Sequence, residues 1–221
     1  MIHSVTTVIT PAANRDLTTL AVAKDELQIT GSSYDKRLKR WITEESAAIE
    51  RYCGRRLINE TLQQEFHFRQ DAGQISELKL TLWPVSEVIS VTWDEVVLTP
   101  DQWNLDAEAG ILKRWDSLSN CWVPWFDYPP WFYHVYPTSV IVQYTGGYTL
   151  GVDVPPDIEA ATLMQLQHRK TAGSRDSTIR SESVPNVLTV TYATPTGAPG
   201  ANGAIVPAAA ARLDPHREQR I

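Results

Sequence analysis

The stretch from Ser32 to Leu57 constrains the fold most, because it has the pattern of one long amphipathic helix. At about 100° per residue its apolar side chains fall within an arc of roughly 140°, which is typical of a helix that faces a core. The apolar positions are Tyr34, Leu38, Trp41, Ile42, Ala48, Ile49, Tyr52 and Cys53. The pattern therefore predicts a core helix over residues 33–54.

Both ends of this helix are marked by cap residues. Ser32 and Asp35 resemble a capping box, with Asp in place of the usual Glu or Gln three residues on. Gly54 is suited to the left-handed conformation that commonly ends a helix. The helix is therefore expected to begin just after Ser32 and to end at Gly54.

Glu45 interrupts the apolar arc of the helix. An unpaired carboxylate in that position would lose its hydration and destabilise the fold. One hypothesis is that Glu45 pairs with an arginine, with Arg55 and Arg56 as the nearest candidates, or with a group from another subunit. The alternative is a carboxylate that reaches solvent at the edge of the helices, since buried acids are rare.

The composition is that of an ordinary globular protein. With 221 residues, of which 43% are hydrophobic and 21% charged, the chain can form a sizeable core. A net charge of -6 argues against dedicated nucleic-acid binding, which needs a dense basic face.

Cys53 and Cys121 give neither a zinc spacing nor a disulfide framework, which favours a reducing, cytoplasmic origin. The first residues lack a signal-peptide pattern and no segment resembles a membrane span, so neither secretion nor membrane insertion is expected.

Two further helices are predicted, near residues 19–28 and 156–171. Thr19 can cap the first helix with its hydroxyl. Pro156 suits the first turn of the second helix, where Asp157 is favourable to the helix dipole. Apolar residues lie almost all round this second helix, so it should be covered on several sides by its own domain or by a neighbouring subunit.

Short alternating apolar runs predict that the middle of the chain is rich in β-strands. The predicted strands cover residues 62–68, 78–82, 85–93, 96–98, 103–105, 111–113 and 140–144, with one more strand or extended arm at 187–192. Pro11 excludes a continuous helix over residues 1–17, which are polar and extended in character. That segment is expected to be an arm or an edge segment.

Aromatic residues and prolines crowd residues 115–137, which have no clean period and are interpreted as a structured loop. Large aromatic side chains are enriched at protein interfaces, so Trp122, Trp125 and Trp131 are candidates for contact with a neighbouring subunit. The alternative is that they cap the open end of their own sheet, because buried aromatic residues usually serve a core.

The end of the chain is expected to be a tethered docking segment. Residues 173–183 are rich in Ser and Arg and are expected to be mobile, and residues 195–203 have the composition of a linker. An Ala-rich helical piece containing Leu213 and a charged tail complete the chain within residues 204–220. A short helix on a flexible tether typically docks on another surface.

No catalytic, metal-binding or cofactor-binding pattern is present. Gly146 and Gly147 lack the Lys and Ser or Thr of a phosphate loop, and no Gly-x-Gly-x-x-Gly follows a strand. The five histidines are scattered singly, without the spacing of a helical zinc site. Adjacent carboxylates such as Glu44 and Glu45 are usually just solvated. The chain is therefore expected not to be an enzyme and to need no cofactor.

The motifs, taken in order, resemble the head-tail connector, or adaptor, family of long-tailed double-stranded DNA phages and gene transfer agents. The series consists of LAVAKDELQI, DKRLKRWITEESAAIERYCGRRL, LTLWPVSEVISVTWDE, VIVQYTGGY with VPPDIEAATLMQLQ, and the Ala-rich end with LDPHR. It covers residues 17–172 and the tail. Each motif alone is weak, and the specificity lies in their order.

This resemblance implies an α+β fold, in which a helical bundle (helices near 19–28, 33–54 and 156–171) carries an inserted β-rich unit and an extended C-terminal arm. The implied domains are an N-terminal arm and helical core (1–60), the β-rich insertion (61–152), a core helix that completes the bundle (153–172), and a flexible segment with a C-terminal docking arm (173–221). The aromatic run 115–137 is longer than the family leads us to expect.

The resemblance also implies a homo-oligomeric ring, commonly of twelve copies, in the virion neck between head and tail, assembled in the host cytoplasm. Such a ring lies beneath the portal protein, contacts a stopper or tail-completion protein, and lets DNA pass without sequence-specific binding. The C-terminal arm would bind the portal, with Leu213 as an apolar anchor and Arg212, Arg217 and Arg220 as charged contacts. An alternative function is a carbohydrate-binding virion or surface module that stacks sugars on Trp122, Trp125 and Trp131.

Overall fold

The computed structural model describes residues 2–68, 74–116, 120–125, 139–174, 181–184, 188–191 and 205–218. The fold is mixed α/β, with four α-helices and antiparallel sheets in these ranges. The chain divides into two compact units. The sheet unit comprises residues 1–14 and 56–149, and the helical unit comprises residues 15–55 and 150–221.

The larger sheet of the sheet unit has five antiparallel strands in the order β1-β2-β9-β4-β5. They are β1 (Ile2–Thr10), β2 (Glu60–Phe68), β4 (Val85–Trp93), β5 (Val96–Val97) and β9 (Ser139–Gly146). Strand β2 alternates buried and half-buried residues along its length, and β9 shows the same alternation, as the sequence pattern predicts. The N-terminal segment is an edge strand of this sheet.

A second antiparallel sheet lies in the same unit, with the order β3-β7-β6 and with β8 paired to β7. Its strands are β3 (Glu77–Lys79), β6 (Trp103–Asp106), β7 (Ile111–Asp116) and β8 (Cys121–Val123), and a short 3-10 turn, Pro100–Gln102, precedes β6. Strand β8 falls within the aromatic run 115–137, for which a loop is predicted. The expectation of a loop is wrong for residues 115–116 and 121–123, because β7 extends to Asp116 and pairs with β8, so that Trp115 faces Trp122.

The core of the sheet unit combines apolar side chains with one buried polar network. Tyr144 is completely buried, and its hydroxyl donates to Gln64 Oε1 at 3.1 Å. The same hydroxyl accepts from the backbone N–H of Leu82 at 3.2 Å. Gln64 Oε1 also accepts from the backbone N–H of Thr81 at 3.0 Å. Burial raises the pKa of the Tyr144 phenol, so this group stays protonated and keeps its donor.

The Gly146–Gly147 pair has a structural role at the end of β9. A Cβ on Gly146 would lie 2.8 Å from the carbonyl oxygen of Leu82 and 2.9 Å from that of Pro84. Gly147 has φ +93°, and a Cβ there would lie 2.6 Å from the carbonyl oxygen of Ile58. Only glycine fits two backbone approaches this close.

The helical unit contains α1 (Leu20–Glu26), α2 (Asp35–Cys53), α3 (Pro156–Ser174) and α4 (Pro207–Leu213), and the 3-10 turn Asp214–His216 follows α4. Thr19 caps α1 as predicted, since its Oγ1 accepts from the N–H of Val22 at 3.3 Å. Gly54 ends α2 in the left-handed conformation at φ 71°. The predicted capping box is wrong, because α2 begins at Asp35 with Tyr34 as N-cap and no side-chain cap bond. Asp35 instead pairs with Lys24 at 2.8 Å.

The buried face of α2 follows the predicted stripe with two exceptions: Tyr34, predicted to lie on the apolar arc, is 52% exposed at the N-cap, and Ser46 is buried. Leu38, Trp41 and Ile42 pack with residues of α1 and α3 in one apolar cluster. Ser46 is 1% exposed although it is polar. Its Oγ accepts from the backbone N–H of Leu17 at 3.0 Å, which satisfies a buried donor in the segment that leads into α1.

Helix α3 packs on α1, α2 and α4, as its apolar surface predicts. It continues to Ser174, and β10 (Ser181–Val184) forms a hairpin with β11 (Leu188–Thr191). Within the segment 173–183, for which mobility is predicted, residues 173–174 are therefore helical and residues 181–183 belong to a strand, while residues 175–180 lie outside the described ranges. Residues 1–14 also belong to the sheet unit, although they were expected to group with the helical core.

Candidate functional site

The C-terminal segment, residues 205–218, lies on the helices of its own unit. Ala209 and Leu213 of α4 are completely buried, and α4 packs on both α2 and α3. At the start of the segment the N–H of Val206 donates to Gln165 Oε1 of α3 at 3.1 Å. Gln165 is 3% exposed, so this bond gives a buried amide side chain a partner.

Polar contacts continue along the segment to the end of α2. The Tyr52 hydroxyl donates to Asp214 Oδ1 at 2.7 Å, and the Arg217 guanidinium lies 5.0 Å from the centre of the Tyr52 ring. Arg55 Nε donates to the carbonyl oxygen of His216 at 3.0 Å. The N–H of Glu218 donates to the carbonyl oxygen of Cys53 at 2.8 Å. The segment thereby covers the C-terminal end of α2.

Burial changes the pKa of three groups in this segment and at the end of α2. Burial raises the pKa of the Cys53 thiol to about 11, so the thiol is protonated and unreactive at neutral pH. Burial, followed by the hydrogen bond to Asp214, raises the pKa of Tyr52. Burial, followed by the nearby Arg55 charge, lowers the pKa of His216.

The predicted docking residues are therefore in contact with the protein's own helices. Leu213, the predicted apolar anchor, is completely buried within the helical unit. Arg212 Nη1 lies 3.3 Å from Asp157 Oδ1 of α3, and Arg217 lies 3.6 Å from Asp214. Arg220 is outside the described residues. A seven-residue helix is too short to be stable alone, which is the physical reason that α4 lies on α2 and α3.

Glu45 has an arginine partner, but not either of the two predicted ones. Arg169 Nη1 of α3 donates to Glu45 Oε1 at 2.8 Å, and its Nη2 lies 2.5 Å from Glu44 Oε2. The same guanidinium lies 5.2 Å from the centre of the Trp41 ring. Arg169 thus links two carboxylates and an indole of α2 to α3.

The choice of Arg55 or Arg56 as partner of Glu45 is wrong for a geometrical reason. Both follow the C-terminal end of α2, more than two helical turns from Glu45. Arg56 Nη1 lies 2.5 Å from the buried carboxylate of Glu60. Arg55 is in contact with the C-terminal segment. The alternative of a Glu45 carboxylate that reaches solvent without a partner also differs from the structure, since the side chain is 17% exposed and accepts from Arg169.

We expect Glu45→Ala to lower the free energy of unfolding by about 1 kcal/mol, because it leaves Arg169 without its better-buried partner. Glu44→Ala is the matched control. Its side chain is 45% exposed, so the expected loss is below about 0.5 kcal/mol. A double-mutant cycle with Arg169→Met, measured by urea unfolding, should give a coupling energy for Glu45 that exceeds that for Glu44. Equal coupling energies would contradict this assignment.

The aromatic candidates divide into two environments. Trp125 is 2% exposed in the core of the sheet unit, and its Nε1 donates to the carbonyl oxygen of Leu112 at 3.1 Å. It cannot serve as an interface residue or a sugar platform, so that assignment is wrong for Trp125. Trp122 is 52% exposed and packs edge-on against Trp115 with 4.8 Å between ring centres. Trp131 lies outside the described residues.

The described ranges contain no group of three or more His, Cys, Asp or Glu side chains arranged to hold a metal ion. None of the described helices is both long and apolar enough to cross a membrane.

The sequence and the fold were compared with those of known proteins. No family model matches the sequence, and no curated protein matches it either. Among the solved structures that match, three each align with 98% of this chain. The neck of an empty gene transfer agent (GTA) particle computed with C6 symmetry is 15% identical over 97% of its chain, with a TM-score of 0.56, and the virion of a native GTA particle is 15% identical over 96% of its chain, with a TM-score of 0.54. The neck of a native GTA particle computed with C12 symmetry is 16% identical over 97% of its chain, with a TM-score of 0.51. The predicted resemblance is thus confirmed at the level of the fold: this chain folds like proteins of gene transfer agent necks.

Proposed function

We propose that the protein is a structural head-tail connector, or adaptor, subunit of a virion neck. Copies of the chain form a ring, commonly of twelve, beneath the portal, and the ring extends the DNA channel and joins the filled head to the tail. The observation that carries this proposal is the match over 98% of the chain to subunits of necks computed with C6 and C12 symmetry. The order of the sequence motifs supports the same function independently.

The four helices act in this proposal as the bundle that stabilises each subunit, and residues 205–221 act as the arm that binds the portal. The arm supplies Leu213 as an apolar anchor and Arg212, Arg217 and Arg220 as charged contacts. Because Leu213 is buried within its own unit, portal binding requires the segment to leave its seat on α3. When the segment moves from α3 to the portal, Leu213 replaces one apolar contact with another, which keeps the free-energy cost of the move low.

The protein acts without catalysis in this proposal. It has a stopper or tail-completion protein as its second partner, and DNA passes through the ring without sequence-specific binding. The net charge of -6 is compatible with a conduit to which DNA does not adhere.

Electron microscopy of the purified protein mixed with its portal protein tests this function. A collar of twelve-fold symmetry below the portal is expected. Absence of any ring, with and without the portal, would overturn the proposal. A particle with this gene disrupted should yield DNA-filled heads and separate tails, and normal infectious or transducing particles would contradict the function directly.

A further inference from the structure

Strand β1 leaves a long open edge on the five-stranded sheet. It runs antiparallel to β2 with regular register from Ile2 to Val8 and has one register irregularity, between Val8 and Thr10, at its end. No other strand pairs with its outer side in the described part of the chain. Val5 is 45% exposed and Ile9 is 46% exposed. The strand contains no Asp, Glu, Lys, Arg or Pro. It therefore lacks the residues with which natural proteins block an edge against pairing.

The opposite edge of the same sheet is blocked in several ways. Strand β5 has two residues, and the turn before it consists of the acidic residues Asp94 and Glu95. Strand β4 has two register irregularities, and the exposed Glu87 lies between them. Bulges, charges and short strands are the usual devices against edge-to-edge association. The sheet therefore has one protected edge and one edge that is open to a further strand.

The chain also contains a strand donor. The β10–β11 hairpin is a two-stranded sheet with four paired residues on each strand, and no other described strand pairs with it. A hairpin of two strands is marginally stable in water, and a third strand makes such a sheet stable. The hairpin belongs to the helical unit, whereas β1 belongs to the sheet unit, so donor and acceptor are two different surfaces of the subunit.

We propose that β1 of one copy pairs with the β10–β11 hairpin of a second copy. This inference rests on the proposed ring and names the contact that closes it. A cyclic ring needs two different complementary surfaces on each subunit, and an acceptor edge with a donor hairpin satisfies that requirement. Main-chain hydrogen bonds supply the affinity in strand addition, and the five strands of one subunit become continuous with the two of the next.

The test compares the full-length protein with two double variants under conditions in which wild-type rings form, with the portal present if it is needed. Val5→Lys with Ile9→Lys places two charges on the open edge. Val96→Lys with Val97→Lys is the matched control, since these residues are 61% and 65% exposed at the blocked edge. We expect the ring fraction to fall about tenfold or more in the first variant and to stay unchanged in the second, with the circular dichroism of both unchanged.

Hydrogen exchange then identifies the donor. In wild-type rings, the amides of β1 and of residues 181–191 should both exchange at least about tenfold more slowly than in wild-type monomers. Normal rings from the Val5 and Ile9 variant would overturn this inference alone. Slower exchange in β1 without a change at 181–191 would overturn the assignment of the hairpin. Absence of wild-type rings in all conditions would overturn the proposed function and this inference together.

Discussion

Trp125→Ala is expected to lower the free energy of unfolding of the sheet unit by about 3–5 kcal/mol. The indole is 2% exposed among the apolar residues of the sheet core, so its removal leaves a large cavity. The substitution also removes the donor of the 3.1 Å hydrogen bond to the carbonyl oxygen of Leu112. Urea unfolding followed by circular dichroism measures the loss without depending on tryptophan fluorescence.

Trp122→Ala is the matched control from the same aromatic run. Its side chain is half exposed and has one edge-on contact with Trp115, so the expected loss is below about 1 kcal/mol. Equal losses for the two substitutions would contradict the assignment of Trp125 to the core. If sugars stacked on this run, Trp122→Ala would abolish binding on a glycan array, whereas the proposed connector function predicts no binding by the wild type.

Leu213→Ala is expected to destabilise the docked C-terminal segment by about 2–5 kcal/mol. Leu213 is completely buried, and α4 has seven residues, so the helix cannot persist once its anchor is lost. Residues 205–218 should then exchange their amide hydrogens faster and become cleavable by protease. The remainder of the helical unit should keep its thermal unfolding temperature to within a few degrees.

Arg212→Ala provides the comparison for this substitution, because its ion pair with Asp157 spans 3.3 Å between exposed side chains. Such a pair contributes about 0–1 kcal/mol, so the segment should stay docked. Wild-type protection of residues 205–218 in the Leu213 variant would show that the anchor has been misassigned. Under the proposed function the same variant also binds the portal more weakly, since Leu213 would be the apolar contact in both places.

The helices and strands were predictable from the sequence because their apolar residues repeat with the period of a helix or of a strand. The stripe of α2 follows the helical period, and the alternation of β2 and β9 follows the pleat. Caps are equally local, which is why Thr19 and Gly54 could be assigned from the residues themselves. The resemblance to connectors depends on the order of such local motifs, and the fold agrees with it.

Contacts between distant parts of the chain were not predictable in this way. The partner of Glu45 is Arg169, 124 residues further on, and no local pattern connects them. The buried position of Ser46 is tolerated because its hydroxyl accepts from a backbone N–H 29 residues before it. The arginines nearest to Glu45 in sequence are not its partners, because the packing of α3 on α2 brings Arg169 to Glu45.

The sequence by itself determined the helix that spans Asp35–Cys53, the strands of the central β-rich region and the likeness in fold to proteins of gene transfer agent necks, because each depends on periodicity or motif order. Only the tertiary structure decided that Trp125 is core while Trp122 is exposed, and that Leu213 is seated on its own unit. It also decided that β1 is the open edge of a sheet. These properties depend on which distant segments exclude water from a given side chain or pair with a given backbone, and that information is absent from any single stretch of residues.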